Sequence, residues 1–248
     1  MKEDPAKGFG FYDDFTKGGL ITSPTAIAAL VGANWTGFSD TGGAITYADE
    51  LGGGLKLASD GTDNDSMSMY SNNHIFKMGL SNEPFWFEAS IKASALLTTE
   101  SGFFLGINDS TAKTTDVPLV GASAGALADL NLVGFHALDT DIGVVKSCYK
   151  SDGVTAVDVQ SSAAATVVEG EYIKLGFKKG LDGYVRWFID NVEMTTKFKV
   201  LNDLGTGFPG DILMAPIMTL AVGAATGAQT LHCRWISCWQ LHARGLAV

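Results

Sequence analysis

Five groups of residues in this chain have types and spacings that could do chemistry. Glu169 and Glu171 are the closest pair among its eight glutamates. On a strand they would share a face about 7 Å apart, near the separation of paired acids. Gly170 lies between them and an alternating run begins at Tyr172, which favours a solvated turn instead. Asp60, Asp63, Asn64 and Asp65 offer oxygen ligands that suit calcium. An EF-hand needs Gly at the sixth position and Glu at the twelfth; counted from Asp60 these are Asp65 and Ser71. A hydrated polar turn is the better reading, and Asp139 and Asp141 have the same standing with less support. His232, Cys233, Cys238 and His242 are zinc-ligand types. In an extended strand Cys233 and Cys238 point to opposite faces and sit roughly 16 Å apart, too far to share a tetrahedral ion. Core cysteines and edge histidines are expected, and no metal site or cofactor is assigned. Cys148 and His136 lack the flanking signature of a Cys-His nucleophile. Trp86 alternates onto a polar face with Glu88, Ser90 and Lys92. There it can stack on a sugar ring, with Asp63 as a further sugar contact, or anchor a protein interface. The stretch 108–131, or a neighbouring subunit, is expected to cover it.

The elements that would position these groups are strands. Ile173, Leu175 and Phe177 alternate with Lys174 and Lys178, and Val185, Trp187 and Ile189 alternate with Arg186 and Asp190. Alternation of this kind gives a strand one dry and one wet face. The two runs predict a hairpin across Gly180-Leu181-Asp182-Gly183, followed by a second tight turn at Asp190-Asn191. Phe85–Lys92 reads the same way, with Phe85, Phe87, Ala89 and Ile91 on its dry face. Gly102–Ile107, Leu132–Leu138, Ile142–Tyr149, Ile217–Val222 and Thr230–Leu241 continue the pattern, and Leu20–Val31 is the best candidate for a short helix. Roughly twelve to fourteen strands suit two packed sheets. Residues 1–16 read as a loose arm with Phe9, Phe11, Tyr12 and Phe15 as docking aromatics, and 17–248 as one domain. The small-residue stretch 108–131 is a long loop.

Composition removes several classes of function. The net charge is −10, with three arginines, so no basic surface competes with the counterions of nucleic acid or attaches to an anionic membrane. The beginning Met1-Lys2-Glu3-Asp4-Pro5 does not read as a signal peptide, and Pro216, Gly223 and Gly227 are expected to break the uncharged run 212–231 into strand, turn and strand. Three cysteines form no disulfide framework and suit synthesis in a reducing cytoplasm.

The order of FWFEASIK (85–92), GFFLGI, VGFHAL (133–138), EGEYIKLGF, DGYVRWFIDNVEM and TLAVGAATGAQTLHCRWISCW resembles the concanavalin A-like lectin/glucanase superfamily. That resemblance implies an all-β, antiparallel jelly-roll β-sandwich with long loops. Its glycoside hydrolases carry Glu-x-Asp-x-x-Glu on one strand. No glutamate here begins that motif, and 132–149 holds no glutamate at all, so a non-enzyme is expected. The sandwich without catalytic acids also looks like the capsid decoration (cement) proteins of tailed bacteriophages. That likeness implies a virion protein, with a homotrimer favoured, that binds the major capsid protein through Phe9, Phe11, Tyr12, Phe15 and Trp86. The alternative is a lectin-like carbohydrate-binding module using Trp86 and Asp63.

Overall fold

The computed structural model describes residues 8–16, 28–29, 35–39, 43–48, 50–61, 65–72, 75–79, 83–94, 101–109, 118–120, 126–138, 144–155, 157–158, 165–199, 207–223 and 228–242. All regular elements among them are strands. In chain order these are β1 (Gly8–Asp13), β2 (Ala28–Ala29), β3 (Trp35–Ser39), β4 (Ala44–Tyr47), β5 (Leu55–Ala58) and β6 (Asp65–Ser71). Next come β7 (Phe85–Ser94), β8 (Ser101–Asn108), β9 (Leu119–Val120), β10 (Ala126–Leu127), β11 (Leu132–Ala137), β12 (Val144–Lys150), β13 (Val157–Asp158) and β14 (Ala165–Thr166). The last five are β15 (Tyr172–Lys179), β16 (Tyr184–Ile189), β17 (Val192–Lys199), β18 (Ala215–Val222) and β19 (Thr230–Leu241).

They build two antiparallel sheets. The first has the order β17-β16-β15-β7-β19-β5-β4, with β1 also on β19. β5 pairs with residues 230–233 of β19 and β1 with 236–241, so the two lie end to end along one edge. The second has the order β13-β12-β11-β8-β18-β6-β3-β2, with β14 beside β13 on the edge of β12. β9 and β10 form a separate short hairpin.

The dry faces of the two sheets meet in one core. Phe177 is its centre, with ring centroids 5.0 Å from Phe87, 5.8 Å from Phe85, 5.1 Å from Trp187 and 6.3 Å from Phe135. The first three belong to the first sheet and Phe135 to the second, so this aromatic group ties the sheets together. Both expected turns form. Gly183 takes φ +74°, and Asp190 and Asn191 take φ 48° and 68°, the paired left-handed conformation of a two-residue hairpin turn.

Two expectations about the N-terminal region change. Residues 8–13 of the expected arm are β1, held along β19 by antiparallel pairing, and residues 1–7 lie outside the described residues. Of the expected helix at 20–31, only Ala28–Ala29 is described, and it is extended as β2 beside β3. The rest of that stretch lies outside the described residues.

One inward position carries a charge. Lys179 continues the dry face of β15, is 2% exposed, and donates from Nζ to the Met78 carbonyl oxygen at 2.6 Å. Burial lowers its pKa to about 8, against an opposing attraction to Glu83. The unfolded chain therefore holds more protons between pH 8 and the ordinary lysine value of 10.5, and stability rises with pH across that window. Lys179→Met is expected to stabilise the protein by about 1–2 kcal/mol at pH 7 and to flatten that rise. Urea denaturation at pH 7 and pH 9 checks both.

Candidate functional site

The outward residues of the first sheet form a face where aromatic and charged side chains alternate. β7 contributes Trp86, Glu88, Ser90 and Lys92; β15 contributes Tyr172, Lys174, Gly176 and Lys178; β16 contributes Tyr184, Arg186 and Phe188. β19 adds His232, Trp235, Ser237 and Trp239. Register sets their neighbours. Gly176 falls between Glu88 and Phe188, Lys178 between Trp86 and Arg186, and Trp86 opposite Trp239.

A groove of about 380 Å³ opens there, lined by Trp86, Glu88, Lys174, Gly176, Lys178, Phe188 and Asn191 among others. Gly176 is its floor. A Cβ at that position would meet the Phe87 carbonyl oxygen at 3.1 Å and Glu88 Cγ at 3.2 Å, so the missing side chain is what leaves the space. Lys174 Nζ donates to Asn191 Oδ1 at 2.6 Å, pairs with Glu88 at 3.3 Å and lies 5.5 Å from the Trp235 ring centroid. Lys178 Nζ sits 4.9 Å over the Phe188 ring. The Asp190-Asn191 turn brings Asn191 to the rim, since Lys174 N–H donates to Asp190 Oδ1 and Asp190 N–H to the Lys174 carbonyl. Trp239 lies flat across Gly10 of β1 and donates from Nε1 to Ser237 Oγ at 2.9 Å. Polar groups set around an apolar wall are the general chemistry of a small-ligand site.

A second cluster occupies the same face farther along the strands. The loop from Ala48 to Gly54 is closed by Ala48 N–H to the Gly54 carbonyl and Gly53 N–H to the Glu50 carbonyl, both 2.9 Å. Gly52, Gly53 and Gly54 take φ +93°, +68° and +138°, which residues with side chains seldom adopt. This loop carries Glu50 over the sheet. Its carboxylate accepts from Lys92 Nζ at 2.6 Å and Tyr172 Oη at 2.5 Å, and lies 3.1 Å from His232 Nδ1. Arg234 sits 3.8 Å over the Tyr172 ring.

Burial alone would raise the Glu50 pKa, but the bonds from Lys92, Tyr172 and His232 outweigh it and hold it at about 2. Burial and then Glu50 push the Tyr172 hydroxyl up, and burial lowers His232 against the pull of Glu50. Because the folded-state value of Glu50 is depressed from 4.5, its contribution is present above pH 4.5 and is lost as pH falls toward 2. Glu50→Gln is expected to cost about 1 kcal/mol at pH 7, a figure reduced for the open side of the site, and almost nothing near pH 2. Denaturation curves of both proteins at pH 7 and pH 2.5 test this.

The residues singled out in the sequence fall in different places. Trp86 is half-buried at the groove. Of the stretch 108–131 expected to cover it, the described Leu119, Leu127 and Leu130 pack instead with Tyr70, Phe104, Leu132 and Ile217 of the second sheet, and residues 110–117 and 121–125 lie outside the described residues. Hydrophobic residues flanking the small-residue runs take the hairpin to an apolar patch rather than to the charged face. Phe9 stacks on Phe76 at 5.5 Å, Phe11 meets Trp35 at 5.5 Å and Phe15 meets Trp35 at 5.8 Å, all packing against their own core. Tyr12 alternates outward, is 57% exposed and stacks on Trp235 at 6.3 Å. Glu169 and Glu171 flank a turn at Gly170, φ +77°, and are exposed. Asp63, Asn64, Asp139 and Asp141 lie outside the described residues.

Cys233 and Cys238 correct the parity argument. A bulge at Arg234 inserts one residue into β19, so both thiols face the core and both are fully buried. Burial pushes both thiols up, Cys238 well above its ordinary value. His232 turns outward to Glu50, and the His242 ring lies 5.3 Å from Phe9. His136 and Cys148 sit on adjacent strands of the second sheet, two positions out of register, and both are buried. Glu50, Tyr172, His232 and Arg234 were not connected by any sequence pattern; the Gly52-Gly53-Gly54 run was the one local sign of a specialised loop.

Neither known protein-family patterns nor curated protein sequences match this chain. Solved structures do. Peanut lectin with a bound 9-residue peptide aligns over 96% of this chain and 99% of its own, with TM-score 0.57 and 17% identity. The fold is concanavalin A-like. A Bacteroides ovatus mixed-linkage glucan GH16 protein in complex with its G4G4G3G product aligns over 92% of this chain and 99% of its own, with TM-score 0.58 and 14% identity. The potassium-bound carbohydrate recognition domain of Emp46p aligns over 83% and 88%, with TM-score 0.56 and 12% identity. At such identities the likeness is one of fold.

Proposed function

We propose that this chain is a non-catalytic, lectin-like module that binds a carbohydrate chain along the outer face of the first sheet, with the Trp86 groove as its main subsite. The observation that carries this reading is the groove itself. Trp86 and Phe188 supply apolar ring surface over the bare floor of Gly176, while Glu88, Lys174 and Asn191 present donors and acceptors at the rim. Sugar rings have apolar faces edged with hydroxyls, and that combination matches such a surface. Relatives of the same fold that are named as lectin, carbohydrate recognition domain or glucan-bound protein support the reading by analogy.

The test is tryptophan fluorescence and calorimetric titration with a panel of neutral and acidic oligosaccharides at millimolar concentration. Saturable quenching by at least one of them is expected. Flat titrations across the panel would remove this reading.

The exposed Tyr12 beside Trp235 would equally serve a protein partner. The second reading is therefore a trimeric decoration protein bound to the major capsid protein of a tailed phage. It ranks second because Phe9, Phe11 and Phe15 are spent on the chain's own core. Quantitative mass spectrometry of purified particles separates the two: copy numbers comparable to the major capsid protein would put the virion reading first.

A further inference from the structure

Cations gather on one part of the outer face of a protein whose net charge is −10. His232 pairs across the sheet with Lys56 on one side and Lys92 on the other, and Lys92 is in turn opposite Tyr172. Arg234 reaches the same place because the bulge at its position takes it out of the strand's alternation. Its guanidinium lies 3.8 Å over the Tyr172 ring, and Lys92 Nζ lies 4.9 Å from the same ring.

Among the described residues the acids do not balance these bases. Glu50 pairs with Lys92 and His232, which accounts for one carboxylate. Among the described residues no carboxylate lies within ion-pair distance of Arg234 or Lys56. His232 carries no compensating need, because burial and the neighbouring Lys92 and Lys56 oppose its protonation. Among the described residues, Arg234, Lys92 and Lys56 against Glu50 leave an excess of positive charge. The Arg234 Nε is also shielded from water without a hydrogen-bond acceptor among the described residues. An arginine held against an aromatic ring with no carboxylate partner among the described residues is suited to a planar or tetrahedral oxyanion.

We propose that the Arg234, Lys92 and Lys56 cluster over Tyr172 is a second subsite on this face and takes the anionic group of an acidic glycan, a sugar carboxylate or a sulfate ester. The inference rests on the carbohydrate reading and deepens it. Tyr172 and Gly176 are four residues apart on β15, about 13 Å along the strand. Lys174 and Trp235 lie between the two sites, so the face continues without a break from the groove to the cluster. A short oligosaccharide spans that length, with one ring at Trp86 and an acidic substituent at Arg234. Glu50 is a positioning residue here: it fixes Lys92, Tyr172 and His232 so that Arg234 has a rigid ring to rest on.

The experiment compares three probes with the full chain at low salt: oligogalacturonate, the same oligomers with their carboxyl groups reduced, and sulfated carrageenan oligomers. Calorimetric affinities are measured for the native protein and for Arg234→Gln, with melting temperature as the control for folding. Oligogalacturonate or carrageenan is expected to bind about tenfold or more tighter than the reduced oligomer, and Arg234→Gln is expected to erase that difference while keeping the weaker neutral binding. Which of the two acidic probes is preferred assigns the group as carboxylate or sulfate. Equal binding of acidic and reduced oligomers, or a preference that survives Arg234→Gln, overturns the anionic subsite and leaves the carbohydrate face standing. No binding of any probe overturns the anionic subsite, and the carbohydrate reading falls with it only when the wider oligosaccharide panel is flat as well. If Arg234→Gln unfolds, Lys56→Gln replaces it with the same expected outcome, because Lys56 lies on β5 at the other side of His232.

Discussion

Trp86→Ala is expected to weaken oligosaccharide binding at least about tenfold while shifting the melting temperature by no more than about 2 °C. Two features of the structure separate these effects. The indole is half-buried and faces outward, opposite Trp239 and beside Lys178, where it supplies a wall of the groove. The stability of β7 comes from the other side, where Phe85, Phe87, Ala89 and Ile91 are completely buried. Losing an aromatic platform from a binding site removes a contact of the kind that dominates affinity, and tenfold corresponds to about 1.4 kcal/mol. Gly176→Leu tests the same groove from its floor. A leucine there would occupy the space between Glu88 and Phe188, so binding should fall even though no ligand-contacting side chain has been removed. Unchanged affinity in both variants would move the binding site away from Trp86.

Phe177→Ala is expected to destabilise the protein by about 3–5 kcal/mol, a large share of the stability of an ordinary domain. The ring is 1% exposed and contacts four other aromatic rings from both sheets. Alanine would leave a cavity that the surrounding rings cannot close, because Phe87 and Trp187 are held on adjacent strands by the register of β15 with β7 and β16. Phe177→Leu, which keeps most of the volume, should cost less than half as much. Chemical denaturation of both variants measures the difference. A loss of less than about 1 kcal/mol for Phe177→Ala would mean that the two sheets are joined mainly elsewhere.

The prediction at Phe177 follows from the sequence almost directly, because strand alternation is local. A period of two assigns each side chain to a face as soon as a strand is recognised. The dry faces of β7, β15 and β16 were therefore legible, and so were the turns at 180–183 and 190–191, where glycine and Asp-Asn permit left-handed backbone. The absence of a Glu-x-Asp-x-x-Glu strand was equally plain. Trp86 was correctly placed on the wet side of its strand. How far its indole is buried was not legible, since that depends on packing between segments distant in the chain.

Pairing across the fold was beyond local pattern. β18 and β19 are consecutive in the chain and both apolar, yet they belong to opposite sheets, because each takes partners far away in sequence. The bulge at Arg234 belongs to the same class. One inserted residue reverses the faces of all that follow, so Cys233 and Cys238 both point inward where an ideal strand would have split them. Glu50 is the furthest from sequence reading. It reaches Tyr172 across 122 residues and His232 across 182, carried there by a three-glycine loop. What the sequence determined by itself was which residues form strands, which face each side chain takes in an unbroken strand, and where the tight turns fall. Only the tertiary structure decided which strands are neighbours, and so which outward side chains meet as a site. The physical reason is that alternation and turn chemistry act between residues a few positions apart, whereas a binding face is assembled by hydrogen-bond register between strands that the chain itself does not place side by side.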